Sequence, residues 1–146
     1  IARAQHMLFD PGISILREAR LATATGHVHA MHDPTEGGLA TGLHELARAA
    51  EVGVLVDETA IPVLPECREL CRTYHLDPLG TIASGALLLT VAAEEAPRLV
   101  ATFKEAGTIA TTIGRVVPAN EGIKIRRRQG VDDLPRFDQD EITRLF

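Results

Sequence analysis

Hydrophobic positions along this chain follow two spacings, and glycine and proline mark where one gives way to the other. Pro11-Gly12 breaks the start. Ile13, Leu16 and Ala19 then recur at helical intervals up to Thr25-Gly26, where the glycine suits a helix C-cap. His27-Val28-His29-Ala30-Met31-His32 alternates with period two and predicts a short strand. Asp33-Pro34-Thr35-Glu36-Gly37-Gly38 reads as a turn. Beyond it, Leu39, Leu43, Leu46, Ala47 and Ala50 line one helical face, with His44, Glu45, Arg48 and Glu51 on the other. This is the most strongly two-sided helix in the sequence.

Val52–Asp57 is mostly apolar and predicts a buried strand. Glu66–Tyr74 predicts a short helix behind Pro62 and Pro65, and Ala86–Val91 another apolar strand. Ala93–Ala106 predicts a helix with Leu99, Val100 and Phe103 inward, closed by Gly107. Ile109–Val117 and Gly122–Arg128 read as two more strands around a turn at Pro118–Glu121, and are expected to pair as a hairpin. The tail from Asp132 to Phe146 is acidic and partly helical. The order α-β-α-β-α-β-α-β-β predicts an α/β (α+β) layered sandwich over residues 1–146, with helices packed on a mixed β-sheet.

Composition narrows the function classes. The chain has 146 residues, 45% hydrophobic and 24% charged, which suits one packed core and not a disordered segment. Its net charge of −5 disfavours nucleic acid as a partner, because phosphate neutralisation dominates that affinity. Aromatic residues at 3% argue against a base-stacking platform. No apolar run reaches the ~18–20 residues of a membrane span, and Ile1–Gly26 lacks a signal-peptide pattern. Two cysteines point to a reduced compartment, so a cytoplasmic location is expected. A first residue of Ile1 and not Met suggests a piece of a longer polypeptide.

The Asp33–Gly38 turn is the strongest candidate for chemistry. Two glycines at a helix entrance let backbone N–H groups approach a ligand without Cβ interference. The first-turn amides have no intrahelical partner and lie at the positive end of the helix dipole, so phosphate or another anion suits them. Thr35 and Asp33 add a hydroxyl and a carboxylate, and His32 adjoins the turn. A simple capped turn uses the same residues. Cys67, Cys71 and His75 fall at i, i+4 and i+8; they offer zinc-type donors without an evident fourth ligand, or two buried thiols. His27 and His29 share a strand face, and either bind metal or shuttle protons, or are ordinary strand histidines. Lys124 with Arg126-Arg127-Arg128 reads as a charged sheet edge, or as a contact for a nucleotide, an acidic partner or the acidic tail (Asp132, Asp133, Asp138, Asp140, Glu141). Asp57-Glu58 at a strand end offers acid/base groups or magnesium ligands.

The stretch His32-Asp33-Pro34-Thr35-Glu36-Gly37-Gly38-Leu39-Ala40 resembles the Arg-Asp-Pro-Thr-Arg-Gly-Gly-Leu-Ala block of the HypE-like hydrogenase maturation factors. These belong to the superfamily of AIR synthase (PurM), with selenophosphate synthetase and thiamine-phosphate kinase. Val52-Gly53-Val54, Asp57-Glu58, Ile61-Pro62-Val63, Leu76-Asp77-Pro78-Leu79 and Ile113-Gly114-Arg115-Val116 resemble later blocks in the same order. The likeness covers about residues 10–125 and is specific as a set. In AIR synthase the related turn reads His-Ile-Thr-Gly-Gly-Gly-Leu, matching Thr35, Gly37, Gly38 and Leu39.

The resemblance implies a PurM C-terminal domain-like fold. It also implies an N-terminal ATP-binding and dimerisation domain outside this chain, with the active site in the cleft between the halves. ATP and Mg2+ are then cofactors of the full-length protein, which would be a homodimer, and this domain alone would be inert and bind neither. Phosphoryl transfer would activate an amide or carboxylate-like oxygen of a small-molecule anionic ligand. Asp33, Thr35, Gly37 and Gly38 carry over as substrate or phosphate contacts, with His32, Ser84 and Gly85 beside them. Three departures stand out. Glu36 replaces an arginine, Ser84-Gly85-Ala86-Leu87 replaces Asn-Glu-Gly-Lys, and Leu134-Pro135-Arg136-Phe137 replaces a Pro-Arg-Ile-Cys tail whose thiol carries the carbamoyl group. They imply a divergent enzyme of this superfamily with its own substrate, a divergent hydrogenase maturation factor, or a non-catalytic scaffold or partner-binding domain.

Overall fold

A computed structural model describes residues 2–146; Ile1, the expected start of the domain, lies outside the described residues. Helices α1 (Ala2–His6) and α2 (Leu16–Ala24) lead into strand β1 (Val28–His32). Then come α3 (Gly38–Ala49), β2 (Gly53–Asp57), α4 (Pro65–Tyr74), β3 (Leu88–Val91) and α5 (Ala96–Glu105). Strands β4 (Gly114–Val117), β5 (Ile123–Arg127) and β6 (Gly130–Asp133) close the order, followed by a 3-10 turn at Glu141–Leu145. The chain is a mixed α/β fold. No helix among the described residues is long and apolar enough to cross a membrane.

The strands form two sheets. One is the antiparallel pair β1–β3, with Met31 opposite Leu89 and His32 opposite Leu88. The other is four-stranded and mixed, in the order β4-β2-β5-β6. Most of the apolar face read for α3 is buried; Ala50, past the helix end, is exposed. Ala40, Leu43, Leu46 and Ala47 pack with Val54 and Val56 of β2, Ile125 of β5 and Leu134 of the tail. A second cluster joins Ala22 of α2 to Leu99 and Phe103 of α5, against Val28, Leu89 and Val91. Leu134 is 3% exposed. Leu134→Ala should therefore cost about 2–5 kcal/mol, the range for truncating a buried leucine, read as a lowered urea midpoint at unchanged m-value.

The expected hairpin of the two late strands does not form. β2 lies between them, antiparallel to β4 and parallel to β5. The link from β4 to β5 steps over the start of β2, where Gly53 makes room. A Cβ there would stand 2.5 Å from the Gly122 carbonyl oxygen and 2.7 Å from that of Pro118. The hairpin partner of β5 is β6, a strand that periodicity missed because all its residues are exposed. Strand structure begins only at Gly114 and not at Ile109, and at Leu88 and not at Ala86. β5 is thus an interior strand and its basic run is no sheet edge. Arg127 pairs with Glu58 at 2.9 Å and Asp132 at 3.7 Å, and Lys124 with Asp133 at 2.6 Å.

Candidate functional site at the entrance of α3

The two glycines before α3 adopt left-handed backbone, with φ of +75° at Gly37 and +65° at Gly38. A side chain at Gly38 would press on the backbone of Leu79 and Thr81, so the loop after α4 sits directly on the turn. Ala40 N–H donates to the Leu79 carbonyl at 2.9 Å, and the Thr35 carbonyl accepts from Gly38 at 3.1 Å and Ala83 at 3.2 Å. The Ser84–Gly85 loop is thereby tied to Thr35. The structure gathers the expected residues, but on two sides of one wall. Asp33, Thr35, Glu36, Ser84 and Gly85 are exposed on the outer lip, whereas Gly37 and Gly38 are buried behind it. His32 leans away toward α3, with Nε2 2.6 Å from Glu45 Oε2 and Nδ1 3.7 Å from Asp33 Oδ1.

The inner amide already has an anionic partner. Gly37 N–H donates to Asp140 Oδ2 at 2.8 Å, and Asp140 Oδ1 caps the final turn by accepting from Ile142 at 2.9 Å. Next to it, Glu141 Oε2 accepts from Asp77 N–H at 2.9 Å and pairs with Arg144 at 2.8 Å. Asp140 and Glu141 are buried at 7% and 9% exposure. Carboxylates survive such burial only when fully hydrogen-bonded. Phe137 completes the latch by lying flat on Gly80, where a Cβ would collide with its ring. His44 holds the start of the tail, its Nε2 3.2 Å from the carbonyls of Leu134 and Pro135. Sequence reasoning missed this tail latch. Its one local signal was Asp140 two residues before the apolar Ile142, an N-cap spacing.

The other candidates separate. Cys67 and Cys71 lie 3.9 Å apart sulfur to sulfur, and Cys71 reaches Thr81 Oγ1 at 3.7 Å. His75 ends α4 in left-handed conformation, with φ of 54°, and is exposed. These three do not converge, and among the described residues no group of three or more His, Cys, Asp or Glu is placed to hold a metal ion. Burial, and then the neighbouring Cys71, pushes the Cys67 thiol up to about 11. Alkylation of Cys67 by iodoacetamide at pH 8 should be at least about tenfold slower in the folded chain than in urea, since only the thiolate reacts. His27 precedes β1 and lies 3.7 Å from Glu95, and His29 is exposed next to an irregularity in the strand pairing. Asp57 is engaged by the Thr59 amide at 2.9 Å and hydroxyl at 2.6 Å, which hold its carboxyl below the usual carboxylate range.

The sequence model of the family described as "AIR synthase related protein, C-terminal domain" matches residues 13–126. The chain belongs to that family. Among curated relatives, it is 39% identical over 99 residues to the carbamoyl dehydratase HypE of Rhizobium leguminosarum bv. viciae, covering 66% of this chain and 28% of that protein. The crystal structure of E. coli HypE superposes with a TM-score of 0.79 at 27% identity, over 90% of this chain and 42% of that one. A HypE structure in complex with ATP gives a TM-score of 0.73 at 31% identity, over 83% of this chain and 39% of that one. The chain thus spans about a third of the length of the curated relatives it matches.

Proposed function

We propose that this chain acts as the C-terminal ligand-binding domain of a HypE-like, ATP-dependent enzyme. The enzyme would activate an amide or carboxylate-like oxygen by phosphoryl transfer. The family match, the likeness to carbamoyl dehydratases and the likeness to an ATP-bound HypE support this reading. The observation that carries it is the Gly37 amide closed by a carboxylate 2.8 Å away. A donor that holds one oxyanion can hold another, and here the helix dipole favours negative charge. In this reading an ATP-binding domain supplies nucleotide and Mg2+, and the anionic substrate displaces Asp140. Asp33, Thr35, Glu36 and Ser84, exposed on the other side of the turn, set which charge approaches it.

A second reading rests on the same contact. If Asp140 holds the amide permanently, the fold serves as a scaffold or partner-binding domain, and the acidic lip of Asp33 and Glu36 repels anions. Titration of inorganic phosphate into the chain, followed at the Gly37 and Gly38 amides by NMR, separates the two. Saturable shifts that strengthen in Asp140→Ala support the enzyme. Amides that stay still in both proteins, with the fold intact, support the scaffold.

A further inference from the structure

The face of the four-stranded sheet turned away from α3 carries a cavity of about 270 Å³. Strand register explains its lining. Leu55 of β2 is level with Arg115 of β4 on one side and Lys124 of β5 on the other, and Asp57 is level with Arg126. Alternate residues of a strand share a face. Arg115, Leu55, Asp57 and Arg126 therefore point one way, while Val54, Val56 and Ile125 point the other way into the core. Thr112 and Gly114 complete the mouth. A side chain at Gly114 would collide with the Leu55 carbonyl, so glycine there lets β4 lie close against β2.

Charge in this cavity is unbalanced. Lys124, on the same face, is neutralised by Asp133, and Arg127 is engaged by Glu58 and Asp132. Arg115 and Arg126 are exposed and make no ion pair with any described residue, as is true of several other arginines; what sets these two apart is that both line one cavity. The Asp57 carboxylate is oriented by Thr59. Two guanidinium groups against one carboxylate leave one positive charge in a protein whose net charge is −5. The arginines flank β2, two strands and two residues apart, so their Cα atoms stand about 12 Å from each other. Two long side chains can meet on one ligand across that gap. β2 and β5 are the parallel pair, and Asp57 and Arg126 lie at their carboxyl ends, the side of such sheets where ligands collect.

We propose that this cavity is a binding site for a small oxyanion, a phosphate or carboxylate group, gripped between the Arg115 and Arg126 guanidinium groups with the Thr112 hydroxyl as a further donor. Planar guanidinium forks fit such groups two bonds at a time. The site is independent of the α3 turn and lies on the opposite face of the sheet.

Inorganic phosphate and malonate, titrated separately into the chain and followed by NMR, test it. Saturable shifts at Gly114, Arg115 and Arg126 are expected with at least one of the two, and which one saturates identifies the group. Arg115→Ala and Arg126→Ala should each raise Kd about tenfold, the loss of a charge-assisted hydrogen bond. Arg128→Ala, outside the cavity, should leave it unchanged. Both arginines are exposed, so the variants should keep the wild-type circular dichroism spectrum. Absence of saturation with both probes, or a Kd indifferent to Arg115→Ala and Arg126→Ala, would overturn the proposal.

Discussion

Gly38→Ala is expected to destabilise the chain by about 2–5 kcal/mol, a large share of the ~5–15 kcal/mol that holds a typical domain. Two costs combine. A residue with Cβ loses about 1–2 kcal/mol in left-handed backbone, and φ at Gly38 is +65°. The new Cβ would also stand 2.5 Å from the Leu79 carbonyl oxygen, 2.6 Å from that of Thr81 and 2.9 Å from the Thr81 nitrogen. These are backbone atoms, which cannot rotate aside, and overpacking of that kind costs about 1–3 kcal/mol. The loop they belong to also carries the Asp77–Glu141 and Gly80–Phe137 contacts, so pushing it out loosens the tail. Gly37→Ala is the internal control. Its Cβ would meet chiefly the Thr41 hydroxyl, which can turn away, leaving mainly the left-handed backbone cost of about 1–2 kcal/mol. Urea unfolding of both variants should place Gly38→Ala far below Gly37→Ala. Equal midpoints would mean that the loop does not press on the turn.

What the sequence made legible and what it hid follow from the range of the interactions involved. α3 and β2 could be read from spacing: Leu43, Leu46, Ala47, Val54 and Val56 are buried as expected, whereas Ala50 is exposed past the helix end and the Leu55–Asp57 side of β2 is open. Strand pairing could not. Whether β4 and β5 meet each other or straddle β2 depends on a crossing over Gly53, a contact between residues some seventy positions apart in sequence. β6 was invisible because a strand exposed along its whole length has no hydrophobic period to show. The edge reading of the basic run failed for the same reason, whereas its alternative, contact with the acidic residues that follow, holds in the Lys124–Asp133 and Arg127–Asp132 pairs.

The candidate site divides the same way. The turn, its glycines and the proximity of the Ser84–Gly85 loop followed from local residues and the family blocks. Its occupant did not. Asp140 reaches Gly37 from more than a hundred residues away, and its burial depends on Leu134, Phe137 and His44 anchoring the tail. An acidic tail without strong periodicity reads as a solvated one until the structure folds it back.

Asp140→Ala should lower stability by about 2–4 kcal/mol, since it removes a charged acceptor from a buried amide and a cap from the closing turn. At the melting temperature this corresponds to a drop of about 5–10 °C for a chain of this size. Asp140→Asn keeps the shape and one acceptor oxygen, and should recover roughly half of the loss. Stability alone cannot separate a latch from a stand-in for a ligand; phosphate can. Exclusion of phosphate from the surface stabilises any folded protein slightly, so the wild-type chain sets the baseline. In Asp140→Ala the vacated Gly37 amide faces a space that held a carboxylate, and an anion bound there adds stability as RT ln(1 + [L]/Kd). The phosphate-induced rise in Tm should therefore be larger in Asp140→Ala than in wild type. That excess over wild type should level off as phosphate saturates a single site. Equal phosphate responses in wild type and Asp140→Ala would show that the amide receives the tail and nothing else, and would leave the scaffold reading in place.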